Sequence, residues 1–396
     1  QGVTYTEILV GNTAPTSGTY ATYGLPFNDA IQAVFDYVNS QGGIGGRKIR
    51  FLNYNDEFTV EKGLAYTKRL VEEDKVFAIV GHFGTATVKA TIDYLRDKGI
   101  PTVFTATGIN DLYFEKSNKN PLFPIQPIYK VDGKVMAARA FKEHLYGPTK
   151  SERLSSSGKI GVIYTNDDIG RSIKEGIEEQ FKTLKFNKVI YEQVSDKYTE
   201  VIDKFKTEGV VGVIISTNQA AFSGILTQMV ESKLNVPIFS SYLNYDVTAI
   251  PDAIRNGTTN MDIYINAWID IFSTEGVKDY EEFLKILDNA NLSIEKKNQY
   301  KNNTFALAGY IAAKVFIEGL KRVIDSGLEL TWENYISAME SAPITIPMGG
   351  MVDFTKGKRI GVDAMSLLKY TIKTQTISEH YMEVRKIESL QEILNK

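Results

Sequence analysis

Residues 76–108, VFAIVGHFGTATVKATIDYLRDKGIPTVFTATG, read as strand, tight loop, helix, strand and loop. The apolar run 76–80 suits one buried strand. Gly81-His82-Phe83-Gly84 interrupts it, and Thr85 stands where a helix N-cap belongs, ahead of Val88, Ile92 and Leu95 at helical spacing. Gly99 and Pro101 close the helix. Residues 100–104 form the next predicted strand, and Thr105-Ala106-Thr107-Gly108 a loop of small residues behind it. Both loops leave strands at their carboxyl ends, the edge of an open parallel sheet where ligands bind. A helix start offers unpaired N–H groups and the positive end of its dipole, so an anion is stabilised there. The same residues would also make an ordinary strand–turn–helix connection with a capping threonine.

Outward from this stretch the layout recurs. Ahead of it, strands are expected at 7–11 and 48–55 and helices at 28–41 and 61–73; residues 12–24 make a loop rich in Thr, Ser, Pro and Gly. A second series has strands at 160–164, 188–193, 210–216 and 236–239 and helices at 171–184, 199–208 and 221–233. Two such series predict an α/β protein of two doubly wound lobes, each a parallel sheet covered on both faces. Beyond them lie a strand at 261–267, helices at 304–327 and 332–341, and late strands at 347–354, 366–373 and 381–387. Residues 122–127, 251–259 and 343–350 carry Pro or Gly without periodicity and read as connections.

The 396 residues suffice for two domains, and 43% hydrophobic with 23% charged residues fits a globular chain. A net charge of −3 gives no field that would favour nucleic acid or an anionic membrane. The absence of cysteine excludes disulfides, thiolate zinc sites and a cysteine nucleophile, while leaving the compartment open. No segment has the apolar length of a membrane span. The first residue is Gln1 rather than Met, which suggests processing upstream.

Chemical motifs are sparse. Gly42-Gly43-Ile44-Gly45-Gly46 follows a helix and enters a strand, the reverse of a dinucleotide fingerprint, and reads as a turn. His82, His144 and His380 lie in separate regions; only His82 is near the presumed ligand edge, where packing explains it better than catalysis. Asp167 and Asp168 form an acidic pair in a strand-exit loop, suited to a helix cap or to a ligand ammonium. Tyr20, Tyr23, Phe83, Tyr242 and Tyr245 occupy loops where they would wall a ligand with apolar faces and polar tips.

A set of pieces recurs in a particular order: Ser17-Gly18 with Tyr23-Gly24, then Val38-Asn39 leading into the glycine turn and Arg47. Gly81-His82 with Thr85, Phe104 to Gly108, residues 160–166 with Gly170, Tyr310, and Met348-Gly349-Gly350 with Asp353-Phe354 continue it. In this order the chain resembles the type I periplasmic binding proteins of the branched-chain amino-acid (Leu/Ile/Val-binding) family, the substrate-binding components of ABC importers.

The resemblance implies a two-lobe clamp with three crossings. The expected lobes are 1–124 with 256–344 and 125–255 with 345–396, hinged near the three connections. It implies a ligand carboxylate held by the hydroxyl and amide of Thr85, with Ala106 contributing through its backbone beside Thr107 and Gly108. Tyr23 matches a tyrosine of the first loop, and Asn218 and Tyr242 match second-lobe contacts. Phe83 and Asp168 complete the expected ligand-binding set. Tyr242 stands where amino-acid binders commonly carry an acid, Ile169 replaces a tyrosine, and Gly108 lacks a hydroxyl that some relatives have. A small carboxylate is therefore expected, either a hydrophobic amino acid or an aromatic or other organic acid. Capture and release need no catalytic residue, metal or cofactor. Expected partners are membrane permease subunits, with the chain itself a monomer outside the cytoplasm, an upstream signal and lipidated Cys being compatible. A ligand-sensing domain of a receptor, and an α/β enzyme using His82 or Asp168, are the competing classes.

Overall fold

The computed structural model describes residues 1–372 and 380–396. The chain divides into two compact units, Gln1–Ile128 with Thr274–Val362 and Tyr129–Ser273 with Asp363–Lys396.

Unit 1 begins with β1 (Glu7–Ala14), α1 (Ala21–Ser40), β2 (Lys48–Asn55), α2 (Val60–Glu72), β3 (Ala78–Phe83), α3 (Thr85–Lys98), β4 (Thr102–Ala106) and β5 (Leu122–Phe123). The strands form one parallel sheet in the order β2-β1-β3-β4-β5. The order reverses between β1 and β3, the point at which such sheets open a crevice at their carboxyl edge. β1 and β3 owe their places to burial on both faces: Ile8, Val10, Ala78, Ile79 and Val80 are all fully buried.

Unit 2 holds α4 (Tyr129–Lys142), β6 (Lys159–Thr165), α5 (Asp168–Thr183), β7 (Val189–Val194), α6 (Thr199–Thr207), β8 (Val210–Ser216), α7 (Gln219–Glu231), β9 (Ile238–Ser240) and β10 (Ile263–Ala267). The chain returns to unit 1 for α8 (Thr274–Asp288), α9 (Ile294–Tyr300), α10 (Thr304–Asp325) and α11 (Trp332–Met339). It ends in unit 2 with β11 (Ala364–Tyr370), β12 (Tyr381–Ser389) and α12 (Leu390–Leu394). The seven-stranded sheet runs β12-β11-β10-β9-β8-β6-β7. Its parallel part, read from β7, repeats the strand order of unit 1; β11 and β12 are antiparallel additions.

Several expectations are corrected. The strand at β10 belongs to unit 2, because Ile263–Ala267 pairs with both β9 and β11. The chain up to Val362 stays with unit 1, where Val362 N donates to Ile125 O at 2.8 Å. Leu122–Phe123 is the fifth strand of unit 1 rather than a connection. The second sheet is mixed, not wholly parallel. The loop 12–24 shrinks to 15–20, since β1 extends through Ala14 and α1 starts at Ala21. Of the late strand 347–354 only Met351–Val352 pairs, with Ile344–Thr345. Lys373, the end of another predicted strand, lies outside the described residues.

Buried cations tie the late segments to the earlier ones. In unit 1, Arg359 donates to the carbonyls of Leu122 (2.7 Å) and Asn120 (2.5 Å), pairs with Glu340 and lies over the Phe123 ring. In unit 2, the fully buried Arg139 binds Glu143 at 2.6 Å, Glu388 at 2.5 Å and the Met365 carbonyl at 3.0 Å. Burial pushes the Glu143 carboxyl up, but Lys396, Arg139 and Arg385 outweigh it and hold its pKa at about 2. No helix among the described residues is long and apolar enough to cross a membrane.

Candidate functional site

The carboxyl edge of unit 1 collects most of the residues expected to bind a ligand. β3 runs through Gly81-His82-Phe83 instead of stopping before them. Gly84 then turns the chain at φ 99°, a conformation that favours glycine, and acts as N-cap of α3. Thr85 is therefore the first helical residue and not the cap. Its hydroxyl lies 2.8 Å from that of Thr107, behind the end of β4. Thr107 is buried, and its amide donates to the Thr105 carbonyl at 2.7 Å. Ala106 closes β4 in register with Phe83, and Gly108 follows Thr107, buried. One site thus gathers a helix start, two hydroxyls and a turn of small residues.

A backbone distortion shapes this edge. Phe104 has φ 61° and Gly81 φ 76°, and the two lie opposite each other between the pairs Val80↔Val103 and His82↔Thr105. A left-handed aromatic residue inside a strand is strained, and such strain concentrates at functional sites. Gly81 is required here: a Cβ would sit 2.6 Å from Cε1 of Phe27.

Aromatic rings line the same edge. Tyr23 lies in the first turn of α1, not in a loop, because the helix starts at Ala21. Tyr20, Tyr23 and Phe58 are 44%, 42% and 38% exposed. Phe58 stacks on Tyr20 at 4.2 Å, Tyr20 lies 6.2 Å from Tyr23, Tyr23 4.7 Å from Phe305, and Phe305 6.0 Å from the buried Phe83. Phe58 and Phe305 escaped the sequence reading. Phe58 sits in a polar turn after β2, and Phe305 belongs to a helix start far along the chain, which only the packing of α10 on α1 brings to this edge.

His82 is fully buried, and burial lowers its pKa to about 4, so it is neutral at physiological pH. Its Nε2 lies 2.7 Å from the Thr91 hydroxyl. The same hydroxyl oxygen also lies within hydrogen-bond distance of the carbonyls of Thr87 and Val88. The bond ties β3 to α3 and leaves His82 a packing role.

The carboxyl edge of unit 2 has its own switch point, between β6 and β8. Asp167 caps α5 by accepting from Gly170 N at 2.7 Å, and its other oxygen accepts from Asn218 Nδ2 at 2.6 Å. Asn218 caps α7 through Ala221 N at 3.0 Å. Both ends of the Asn218 amide are thus engaged in locking the two helix starts together. Asp168 is the first residue of α5 rather than a loop residue, and its carboxylate faces Arg171 at 3.3 Å.

Tyr242 is largely buried in a short 3-10 turn after β9. The turn rests on Asp132, a fully buried carboxylate in the first turn of α4. Burial pushes the Asp132 pKa up to about 6 against hydrogen bonds from Asn266, Ser241 and the Tyr242 amide; the Asn266 bond is 2.8 Å. The sequence reading missed this carboxylate because it assigned no element to residues 129–158. Among the described residues no group of three or more His, Asp or Glu is placed to hold a metal ion.

The chain belongs to the periplasmic binding protein family, whose sequence model matches residues 7–375. It is 22% identical over 238 residues to an amino acid binding protein of Pseudomonas aeruginosa, a match that spans 59% of this chain and 60% of that relative. It is also 22% identical over 267 residues to the Leu/Ile/Val-binding protein homolog 2 of Brucella abortus strain 2308, across 65% of this chain and 67% of the relative. Among solved structures, a fatty acid ABC transporter substrate-binding protein from Thermomonospora curvata superposes with a TM-score of 0.74 at 17% identity, covering 100% of this chain and 95% of that one. The family is a class of substrate-binding proteins, and the fold is that of the type I periplasmic binding proteins.

Proposed function

We propose that this chain is the extracytoplasmic solute-binding component of an ABC importer. It captures a small carboxylate, either a hydrophobic amino acid or an aromatic or other organic acid, by hinge closure of its two units, and delivers it to permease subunits. The chain works as a monomer and makes or breaks no bond. The observation that carries this reading is the start of α3, where the hydroxyls of Thr85 and Thr107 meet at 2.8 Å beside the end of β4. Helix dipole, amide donors and hydroxyls all favour an anion there. Ala106 and Gly108 frame the site, and Phe83 and Tyr23 wall it. Asp168 and Asn218 serve the reading less directly, since both are engaged in helix-start bonds. Family membership and the relatives named for amino acids support the reading.

The test is a thermal-shift screen of the protein against amino acids and organic acids, because a ligand that binds only the folded state raises the melting temperature. A carboxylate hit that is lost when the acid is replaced by its amide supports the proposal. Hits confined to ligands without a carboxylate overturn it.

A further inference from the structure

The antiparallel strands added to unit 2 create a space of their own. β11 and β12 extend one face of the sheet, on which Leu368, Tyr370 and Tyr381 join Ile263 and Ile265 in a single apolar cluster. The single helical turn Asp252–Arg255 meets this face through the buried Ile254, and Phe272 packs against it from the chain beyond β10. Between them lies a groove of about 700 Å³, lined by Ile254, Met261, Phe272, Tyr370, Ile372 and Tyr381 among others. Small-molecule sites span roughly 300–1,000 Å³ and are mostly apolar, with a few polar groups that fix orientation. Every lining residue belongs to unit 2, so the groove is complete without unit 1.

One carboxylate belongs to this groove. Glu383 lines it, and its place on β12 is in register with Leu368, so its side chain shares the apolar face. Among the described residues Glu383 makes no hydrogen bond or ion pair. Burial, and then the nearby charge of Asp270, raise its pKa, and Lys386 offsets them only in part. The other polar groups around the groove are engaged. Lys369 pairs with Asp262 at 2.7 Å, and Arg255 pairs with Asp252. The Tyr381 hydroxyl donates to the Tyr245 carbonyl at 2.9 Å, the His380 ring stacks on Tyr370, and Asp270 accepts from Phe272 N and Ser273 N. A half-buried carboxylate on an apolar wall is short of a cation, and aromatic faces beside it attract one as well.

We propose that this groove is a second binding site, separate from the start of α3, for a small lipophilic amine. The ammonium group meets the Glu383 carboxylate, and the apolar body lies against Met261, Phe272, Tyr370 and Tyr381.

Calorimetric titration at pH 7 compares 2-phenylethylamine, a cation there, with 2-phenylethanol, which has the same body and no charge. The amine should bind about tenfold more tightly than the alcohol, the effect of one charge-assisted contact in a half-buried place. In Glu383→Gln the amine should fall to the level of the alcohol, while the response to carboxylates in the thermal screen stays that of the wild type. No binding of the amine, or equal binding of amine and alcohol to the wild type, overturns the proposal. A preference for the amine that survives in Glu383→Gln assigns the cation to another group and overturns it too. The place of binding is read separately, by NMR of the protein labelled at its methionine methyl groups, with the Met261 signal assigned through Met261→Leu. The amine should shift the Met261 signal of the wild type, a readout that stands even if Glu383→Gln fails to fold. Binding that leaves this signal unmoved puts the amine elsewhere and overturns the groove as its site.

Discussion

At the scale of single residues, Thr85 and Asp132 make opposite kinds of statement. Thr85 was legible because a small polar residue between a glycine and an apolar helical stripe marks a helix start. Its partner Thr107 was legible only as part of a loop, since nothing in sequence pairs two hydroxyls 22 positions apart. Thr85→Val keeps the shape and removes the hydroxyl. It should weaken carboxylate binding by roughly 1–3 kcal/mol, measured by calorimetry, because a charged acceptor loses a donor. Asp132 was invisible, for a buried acid in a helix reads as a surface residue until the fold encloses it. Its folded pKa of about 6 lies above its ordinary value of 3.8, so the folded state holds this proton more tightly than the unfolded chain. Stability from this group is therefore fully present below the ordinary value and is lost as pH rises toward 6. Asp132→Asn removes that dependence. In urea unfolding, the wild type should gain roughly 2 kcal/mol relative to the variant between pH 7 and pH 4. A constant difference would show that Asp132 does not titrate in this range.

At the scale of elements, strands β2 and β8 fall at the predicted 48–55 and 210–216, because their apolar residues are bounded by turn residues on both sides. Helix starts shifted more. α1 and α5 begin in polar stretches that look like loop but supply the first turns, with Pro26 tolerated near the start of α1. α4 was missed altogether, since Asp132, Gly133 and the buried Arg139 interrupt any apolar stripe. Those interruptions are what packs it. A Cβ on Gly133 would lie 2.1 Å from the Ile173 carbonyl oxygen, and one on Gly176 1.9 Å from that of Lys130. α4 and α5 thus approach backbone to backbone through reciprocal glycines. Gly176→Ala should force the helices apart and cost about 1–3 kcal/mol, read as a lower urea midpoint with an unchanged slope. A variant as stable as the wild type would mean that the helices can separate freely.

At the scale of the whole molecule, the two-unit α/β plan was readable from the repeated strand–helix series, while the boundaries were not. β10 is an apolar run that either sheet would accept, and its assignment rests on pairing with β11, about a hundred residues later. Each unit is assembled from separated stretches of chain. In unit 1, α10 packs along α1, and Gly309 lies so close that a Cβ would be 2.2 Å from the Phe27 carbonyl oxygen. A fragment of residues 1–128 therefore exposes the face of α1 that α10 covers. It should show no cooperative thermal transition by circular dichroism, whereas 1–128 joined by a short linker to 274–362 should melt cooperatively. A cooperative melt of the shorter fragment would refute this account of how unit 1 is held together. Arg359 carries the point into biogenesis. The guanidinium that locks Asn120 and Leu122 in place is synthesised more than two hundred residues after them. A nascent chain must therefore carry its first sheet unsealed until Arg359 has left the ribosome, a long interval in which a holding chaperone meets it still unfinished.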